Sequence, residues 1–261
     1  MDTLLKKAVI ASIEAGKKIA EIYQQADFEI EIKSDNTPIT QADRTAHEII
    51  AARLAGDFPV LSEEGEVIPY ETRKNWKTFW LVDPLDGTKE FIQRNDEFTV
   101  NIALINEGVP VLGVIYAPVS CELYYADKIG SFKCLINPEE EINIEKIIDQ
   151  SMQLPYGIPG ENLVVVSSRS HHSPETEAYI RQIDTQGKPL KVIPKGSSLK
   201  FCMVASGEAN LYPKLGPTME WDIAAGHAIA RYAGKTVAQI QTGKPLEYNK
   251  ENLLNPWFVV Q

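Results

Sequence analysis

The stretch Phe79-Trp80-Leu81-Val82-Asp83-Pro84-Leu85-Asp86-Gly87-Thr88 ends an apolar run with two carboxylates three residues apart. FWLVD (79–83) is short and apolar enough to be a buried strand. Pro84 cannot donate to a ladder, so the strand is expected to stop there. Gly87 permits a sharp turn or a close approach of backbone to a ligand. Asp83 and Asp86 across such a turn can point at one place. Unpaired, they would repel, and one would be driven toward protonation. A divalent cation removes that conflict, and carboxylate and carbonyl oxygens suit Mg²⁺ or Ca²⁺ better than zinc. The competing reading is a simple Asp-Gly turn. Two more acidic sites weigh against it, Ser62-Glu63-Glu64-Gly65 after PVLS (59–62) and Trp221-Asp222 at a helix start.

Working outward, Leu5, Val9, Ile13 and Ala20 mark a helical stripe over about 3–25. Phe28, Ile30 and Ile32 alternate with acids as a half-buried strand would, and SDNTP (34–38) is turn chemistry. Thr40-Gln41-Ala42-Asp43 reads as a capping box opening a helix that Gly56 can stop. FTVNIALI (98–105) and VPVLGVIYAP (109–118) form a hairpin, and ELYYAD (122–127) adds a strand. Residues 137–162 show no legible pattern. LVVVSS (163–168) has the continuous apolar character of a buried parallel strand. Ser173-Pro174 starts a helix, LKVI is a strand, 197–209 a helix, ANLY a strand, Asp222–Ala233 a helix ending at Gly234, and TVAQI a strand. The expected architecture is a layered α/β (α+β) sandwich of alternating helix and sheet layers. Its two closely packed halves are 1–130, helices plus an antiparallel sheet, and 131–261, alternating strand and helix.

The 261 residues suffice for a large core. With 36 acidic and 26 basic residues the net charge is −10, which argues against binding a nucleic-acid polymer. Metal ions could still invert the local field for an anionic substrate. Three scattered cysteines, Cys121, Cys134 and Cys202, fit a reducing compartment. The N-terminus reads as an amphipathic helix and not a signal peptide, and no apolar run approaches the ~20 residues of a membrane span. The expectation is a cytoplasmic protein, monomer or homodimer, without an integral membrane segment. Peripheral attachment to the cytoplasmic face of the inner membrane is left open.

WLVDPLDGTKEF (80–91) resembles the first signature of the inositol monophosphatase superfamily, and Trp221-Asp222-Ile223-Ala224-Ala225-Gly226 resembles its second. SDNTPITQAD (34–43), SEEG, FTVNIALI and GVIYAP (113–118) are similar to family segments in the expected order. DGTKEFIQRNDEFTVNIALI (86–105), SSRSH (167–171), GSSLKFC (196–202) and LYPKLGPTMEWD (211–222) resemble the 3′(2′),5′-bisphosphate nucleotidase branch.

The resemblance implies the fold of inositol monophosphatase and fructose-bisphosphatase and a site holding two to three Mg²⁺. The first half would carry most metal ligands; the second would supply Asp222 and substrate specificity. Glu63, Asp83, Asp86, Asp222 and the Leu85 carbonyl would be the ligands, with Glu64 a weaker candidate. Asp43, Thr88 and Glu63 would be catalytic, the Thr88 hydroxyl being oriented by Asp43 to take a proton from the attacking water. Glu63, Leu85, Asp86, Gly87, Thr88 and Asp222 would also contact substrate. From residue type, Gly196-Ser197-Ser198 is either a helix cap or a set of hydroxyls and amides for a second phosphate or ribose. Lys200, Lys195 and Arg169 would add positive charge. The implied activity is hydrolysis of the 3′-phosphate of 3′-phosphoadenosine 5′-phosphate, with 3′-phosphoadenosine 5′-phosphosulfate as a second substrate. Lithium sensitivity and a place beside sulfate assimilation come with it. The alternatives are an inositol monophosphatase and a regulatory binding protein that retains the fold.

Overall fold

The computed structural model describes residues 1–25, 30–32, 38–157, 160–170 and 173–261. The first half contains α1 (Thr3–Tyr23), β1 (Ile30–Ile32), β2 (Pro38–Thr40), α2 (Gln41–Leu54), β3 (Val60–Ser62), α3 (Tyr70–Arg73), β4 (Thr78–Asp86), α4 (Thr88–Ile92), β5 (Thr99–Asn106), β6 (Val109–Ala117) and β7 (Glu122–Asp127). The chain continues through β8 (Gly130–Leu135), α5 (Ile144–Gln150), β9 (Met152–Gln153), β10 (Leu163–Ser168), α6 (Pro174–Arg181) and β11 (Leu190–Lys195). It ends with α7 (Leu199–Ser206), β12 (Tyr212–Lys214), α8 (Glu220–Tyr232), β13 (Val237–Gln239) and β14 (Phe258–Val260).

A seven-stranded sheet in the order β3-β4-β5-β6-β7-β8-β9 divides the molecule. Side-chain alternation along β4 builds a core on each face. Trp80 and Val82 join Val9, Ile13 and Ile50 of α1 and α2 on one side. Phe79 and Leu81 join Phe201, Ala225 and Ile229 of α7 and α8 on the other. Outside α7 and α8 lie the three-stranded sheet β12-β14-β13 and the parallel pair β10-β11, with α6 against β12. Helices and sheets thus alternate in layers. Residue 130, where the sequence suggests the halves meet, is the first residue of β8 inside the large sheet.

Close approach explains the placement of α8. A Cβ on Gly113 of β6 would lie 2.5 Å from the Ala225 carbonyl, and one on Gly226 would lie 2.4 Å from the Phe201 ring. Only hydrogen at these two positions lets α8 lie this near both the sheet and α7.

Several expectations need correction. Ile30 and Ile32 are 47% and 65% exposed: among the described residues β1 pairs with β2 alone, and it is β2, with Ile39 and Thr40 buried, that packs against α2 and α4. Phe28, most of the SDNTP turn, His171 and His172 lie outside the described residues. The helix expected at 197–209 is limited to Leu199–Ser206, closed by Gly207 at φ +83°. The strand expected at ANLY begins at Tyr212. β4 does not stop at Pro84 but runs on to Asp86 through a bulge. Among the described residues no helix is long and apolar enough to cross a membrane.

Candidate active site

The bulge in β4 sets the geometry of its two aspartates. Asp83 sits opposite Asn101 and Asp86 opposite Thr99, so three steps on β4 match two on β5. In a regular strand, residues three apart face opposite sides of the sheet. One extra residue at Pro84-Leu85 restores both carboxylates to one side. Pro84 is tolerated because the bulge interrupts the ladder there. The Leu85 N–H donates to Asp83 Oδ1 at 3.1 Å.

β3 runs parallel to β4 with Ser62 opposite Val82, and the Glu63 N–H donates to the Val82 carbonyl at 3.1 Å. Glu63 and Asp83 therefore stand side by side at one sheet edge. Asp222 reaches them from the first turn of α8, where its Oδ2 accepts the Met219 N–H at 2.9 Å. Glu63, Asp83 and Asp222 each offer an oxygen within 4.8 Å of the others. Asp86 borders the same cleft but is held separately. Its Oδ2 lies 2.8 Å from Ser198 Oγ and 3.3 Å from Asn101 Nδ2.

Burial, then the neighbouring carboxylates, push the pKa values of Asp83 and Asp222 well above the usual carboxylate range. Burial also raises that of Asp86. Five carboxylate residues line the cleft, Glu63, Asp83, Asp86, Asp222 and Glu90, the last held by the Ser170 hydroxyl. The lining includes Leu85 but, among the described residues, no cysteine or histidine, so the available donors are oxygens. Such a set fits a hard cation such as Mg²⁺, which would reverse the mutual repulsion.

Thr88 borders the same cleft, and the buried Asp43 lies behind it. The Thr88 hydroxyl donates to Asp43 Oδ1 at 3.0 Å and lies 3.4 Å from the Leu85 carbonyl. Asp43 Oδ2 accepts the Thr40 amide at 2.7 Å and the Thr40 hydroxyl at 2.6 Å, completing the capping box of α2. Gly87, at φ +96°, turns the chain from β4 into α4 so that Thr88 faces the cleft.

The opposite wall comes from the second half. Ser197, Ser198 and Lys200 border the cleft, as do Tyr212 and Lys214. Burial lowers the Lys200 pKa to about 8 against the pull of Asp86. The Lys200 ammonium donates to the Ser197 carbonyl and sits over the Tyr212 ring. Burial likewise lowers Lys214, while Asp222 and Asp86 act in the opposite direction. Gly196 does not border the cleft; its N–H donates to Glu97 Oε2 at 2.7 Å. Arg169 is forked onto Glu97 at 2.6 and 2.9 Å, and Lys195 lies 3.2 Å from the same carboxylate. Burial raises the Glu97 pKa, but Arg169, Lys195 and the Gly196 amide outweigh it and hold the value low.

Sequence reasoning overlooked Lys214, Glu97 and Asn101. A lysine between Pro213 and Leu215 in the segment LYPKLGP was one available signal. The polar residues Thr99 and Asn101 in an otherwise apolar strand, with Glu97 two residues before it, were another.

A model of the Inositol monophosphatase family matches residues 1–257. The chain is 46% identical over 251 residues to the 3′(2′),5′-bisphosphate nucleotidase CysQ of Escherichia coli strain K12, covering 94% of each chain. It is 45% identical over 262 residues to the protein of the same name from Salmonella typhimurium LT2, covering 98% of this chain and 99% of that one. The crystal structure of CysQ from Bacteroides thetaiotaomicron, a bacterial member of the inositol monophosphatase family, superposes with a TM-score of 0.91 at 50% identity. That superposition covers 99% of this chain and 97% of the other.

Proposed function

Because the chain belongs to the inositol monophosphatase family, we propose that it is a Mg²⁺-dependent phosphatase acting on the 3′-phosphate of adenosine 3′,5′-bisphosphate. The products are AMP and phosphate. The observation that carries this reading is the convergence of Glu63, Asp83 and Asp222 beside the Asp43–Thr88 pair, facing a lysine-bearing wall. The relatives named 3′(2′),5′-bisphosphate nucleotidase supply the substrate class.

Glu63, Asp83, Asp86, Asp222 and the Leu85 carbonyl would hold two to three Mg²⁺. Their chemistry there is Lewis-acid activation of water and neutralisation of charge on the phosphoryl group. The chain's own part centres on Thr88. Its hydroxyl hydrogen points at Asp43 Oδ1, leaving the oxygen free to accept a proton from the attacking water as its own passes to Asp43. The Thr40 contacts on Asp43 Oδ2 hold that carboxylate in place. The Gly87 and Thr88 amides at the start of α4 would receive phosphoryl oxygens. Lys200 and Lys214 would balance the second phosphate, and Ser197 and Ser198 would border the ribose. The setting is cytoplasmic, in keeping with three free cysteines.

A substrate panel in Mg²⁺ and in EDTA tests the reading. Adenosine 3′,5′-bisphosphate should be turned over fastest, and EDTA should abolish phosphate release. Faster turnover of an inositol monophosphate or of fructose bisphosphate would overturn the substrate assignment. Activity indifferent to EDTA would overturn the metal.

A further inference from the structure

Glu97, two residues before β5, and Thr99 and Asn101 within it meet three consecutive residues of the turn between β11 and α7. Glu97 Oε2 accepts the Gly196 N–H at 2.7 Å. Thr99 Oγ1 lies 3.4 Å from Ser197 Oγ. Asn101 Nδ2 donates to Ser198 Oγ at 2.9 Å. Thr99 and Asn101, two apart, share one face of β5, and Glu97 in the segment leading into the strand extends the same row of contacts along the turn.

The turn needs such support. Ser197 has φ +44°, a backbone region that costs free energy for a residue other than glycine. Gly196 lies so close to the segment entering β5 that a Cβ there would stand 2.7 Å from Glu97 Cβ and 2.8 Å from the Glu97 carbonyl. Charges grip the peptide dipoles on either side. The Glu97 carboxylate takes the Gly196 amide, and the Lys200 ammonium takes the Ser197 carbonyl.

Glu97 is itself held by the fork of Arg169, which follows β10, and by Lys195 at the end of β11. It faces a second cleft, bordered also by Lys133 and Met203, and not the one that contains the carboxylates.

We propose that Glu97 is a positioning residue that fixes the Gly196–Ser198 turn, and through it the substrate-facing wall of the active site, without touching substrate. The consequence for substrate rests on the function proposed above. Ser198 is separately secured to Asp86 and to the Asp222 carbonyl, each at 2.8 Å, and to Asn101. Losing Glu97 should therefore free Gly196 and Ser197 and leave the carboxylate cluster in place. Substrate affinity would suffer before the chemical step.

The test compares full-length Glu97→Ala, Glu97→Gln, Arg169→Ala and the Glu97→Ala/Arg169→Ala double variant with the wild type. Amide hydrogen exchange without substrate should rise at residues 196–199 in Glu97→Ala and remain unchanged across β4 and α8. KM for adenosine 3′,5′-bisphosphate should rise about ten-fold or more, the effect of losing one charge-assisted hydrogen bond, while kcat stays within about three-fold. Glu97→Gln keeps an acceptor for Gly196 and should lie between. The double variant should be no worse than Glu97→Ala alone, because Arg169 acts through Glu97. Unchanged exchange at 196–199 would overturn the proposal. So would a fall in kcat with unchanged KM, or additive losses in the double variant. Should the wild type not hydrolyse the bisphosphate, the proposed function fails while the exchange measurement still decides whether Glu97 fixes the turn.

Discussion

Asp43 and Thr88 are 45 positions apart in sequence, yet the Thr88 hydroxyl donates to Asp43 Oδ1 at 3.0 Å while Asp43 Oδ2 caps α2. One carboxylate thus serves helix stability with one oxygen and the candidate catalytic hydroxyl with the other. Asp43→Ala should lose both: about 1 kcal/mol of stability for the cap and about 10²-fold or more in kcat for the proton path. Thr88→Val should lose the activity and keep the cap, while Thr88→Ser should retain most activity. Urea unfolding beside steady-state kinetics separates the two effects.

The buried carboxylates oppose one another until a cation is present. In EDTA, Asp83→Asn should be at least as stable as wild type, because one buried charge and its repulsion from Glu63 and Asp86 are gone. Adding Mg²⁺ should stabilise the wild type by about 2.7 kcal/mol at a hundredfold excess over Kd, and the variant far less. Thermal unfolding with and without Mg²⁺ reads this directly. A wild type whose melting temperature ignores Mg²⁺ would count against the metal site.

Asp222 is only as well placed as α8. Gly113→Ala puts a methyl 2.5 Å from the Ala225 carbonyl and 2.7 Å from the Ala228 Cβ, a collision with helix backbone that no rotamer can relieve. The expected cost is about 1–3 kcal/mol. Displacement of α8 should also weaken the Mg²⁺-dependent rise in melting temperature. Both are measurable on one sample.

His227 of α8 is buried against Tyr248, its Nδ1 2.9 Å from the phenolic oxygen. Burial, with Arg231 adding to it, lowers its pKa from the ordinary 6.5 to about 3. The unfolded chain takes up a proton below about 6.5 and the native one does not until about 3. Stability from this residue is therefore present above about pH 6.5 and declines as pH falls toward 3, by at most about 1.4 kcal/mol per unit. His227→Gln keeps a polar partner for Tyr248 and should flatten that slope. Denaturant titrations between about pH 5 and 6.5, above most carboxylate titration, give the comparison.

The order of elements was largely legible in the chain because each obeys a local rule. Thr40 and Asp43 announce α2, the alternation in 98–118 announces the hairpin, and Ser173-Pro174 announces α6. The exposed strand β1 escaped such rules, since alternation of apolar and polar residues does not say whether another layer will cover a strand. The short strand β14 escaped as well; its partners β12 and β13 lie earlier in the sequence, and three residues carry no periodicity of their own.

For the candidate site, residue type and order singled out the acidic segments, but turn and cap chemistry offers each of them an ordinary local use, as the capping boxes of Asp43 and Asp222 show. The ligand roles came from the family resemblance, and the two serines before α7 stayed open between a helix cap and a substrate contact. Which of their oxygens converge was decided in three dimensions. The bulge at Pro84-Leu85 turns Asp83 and Asp86 to one face, parallel pairing of β3 with β4 aligns Glu63, and α8 delivers Asp222 across the sheet. The register between Glu97, Thr99, Asn101 and the Gly196–Ser198 turn is of the same kind. Contacts between residues about a hundred positions apart depend on how layers pack, and packing is a property of the assembled chain.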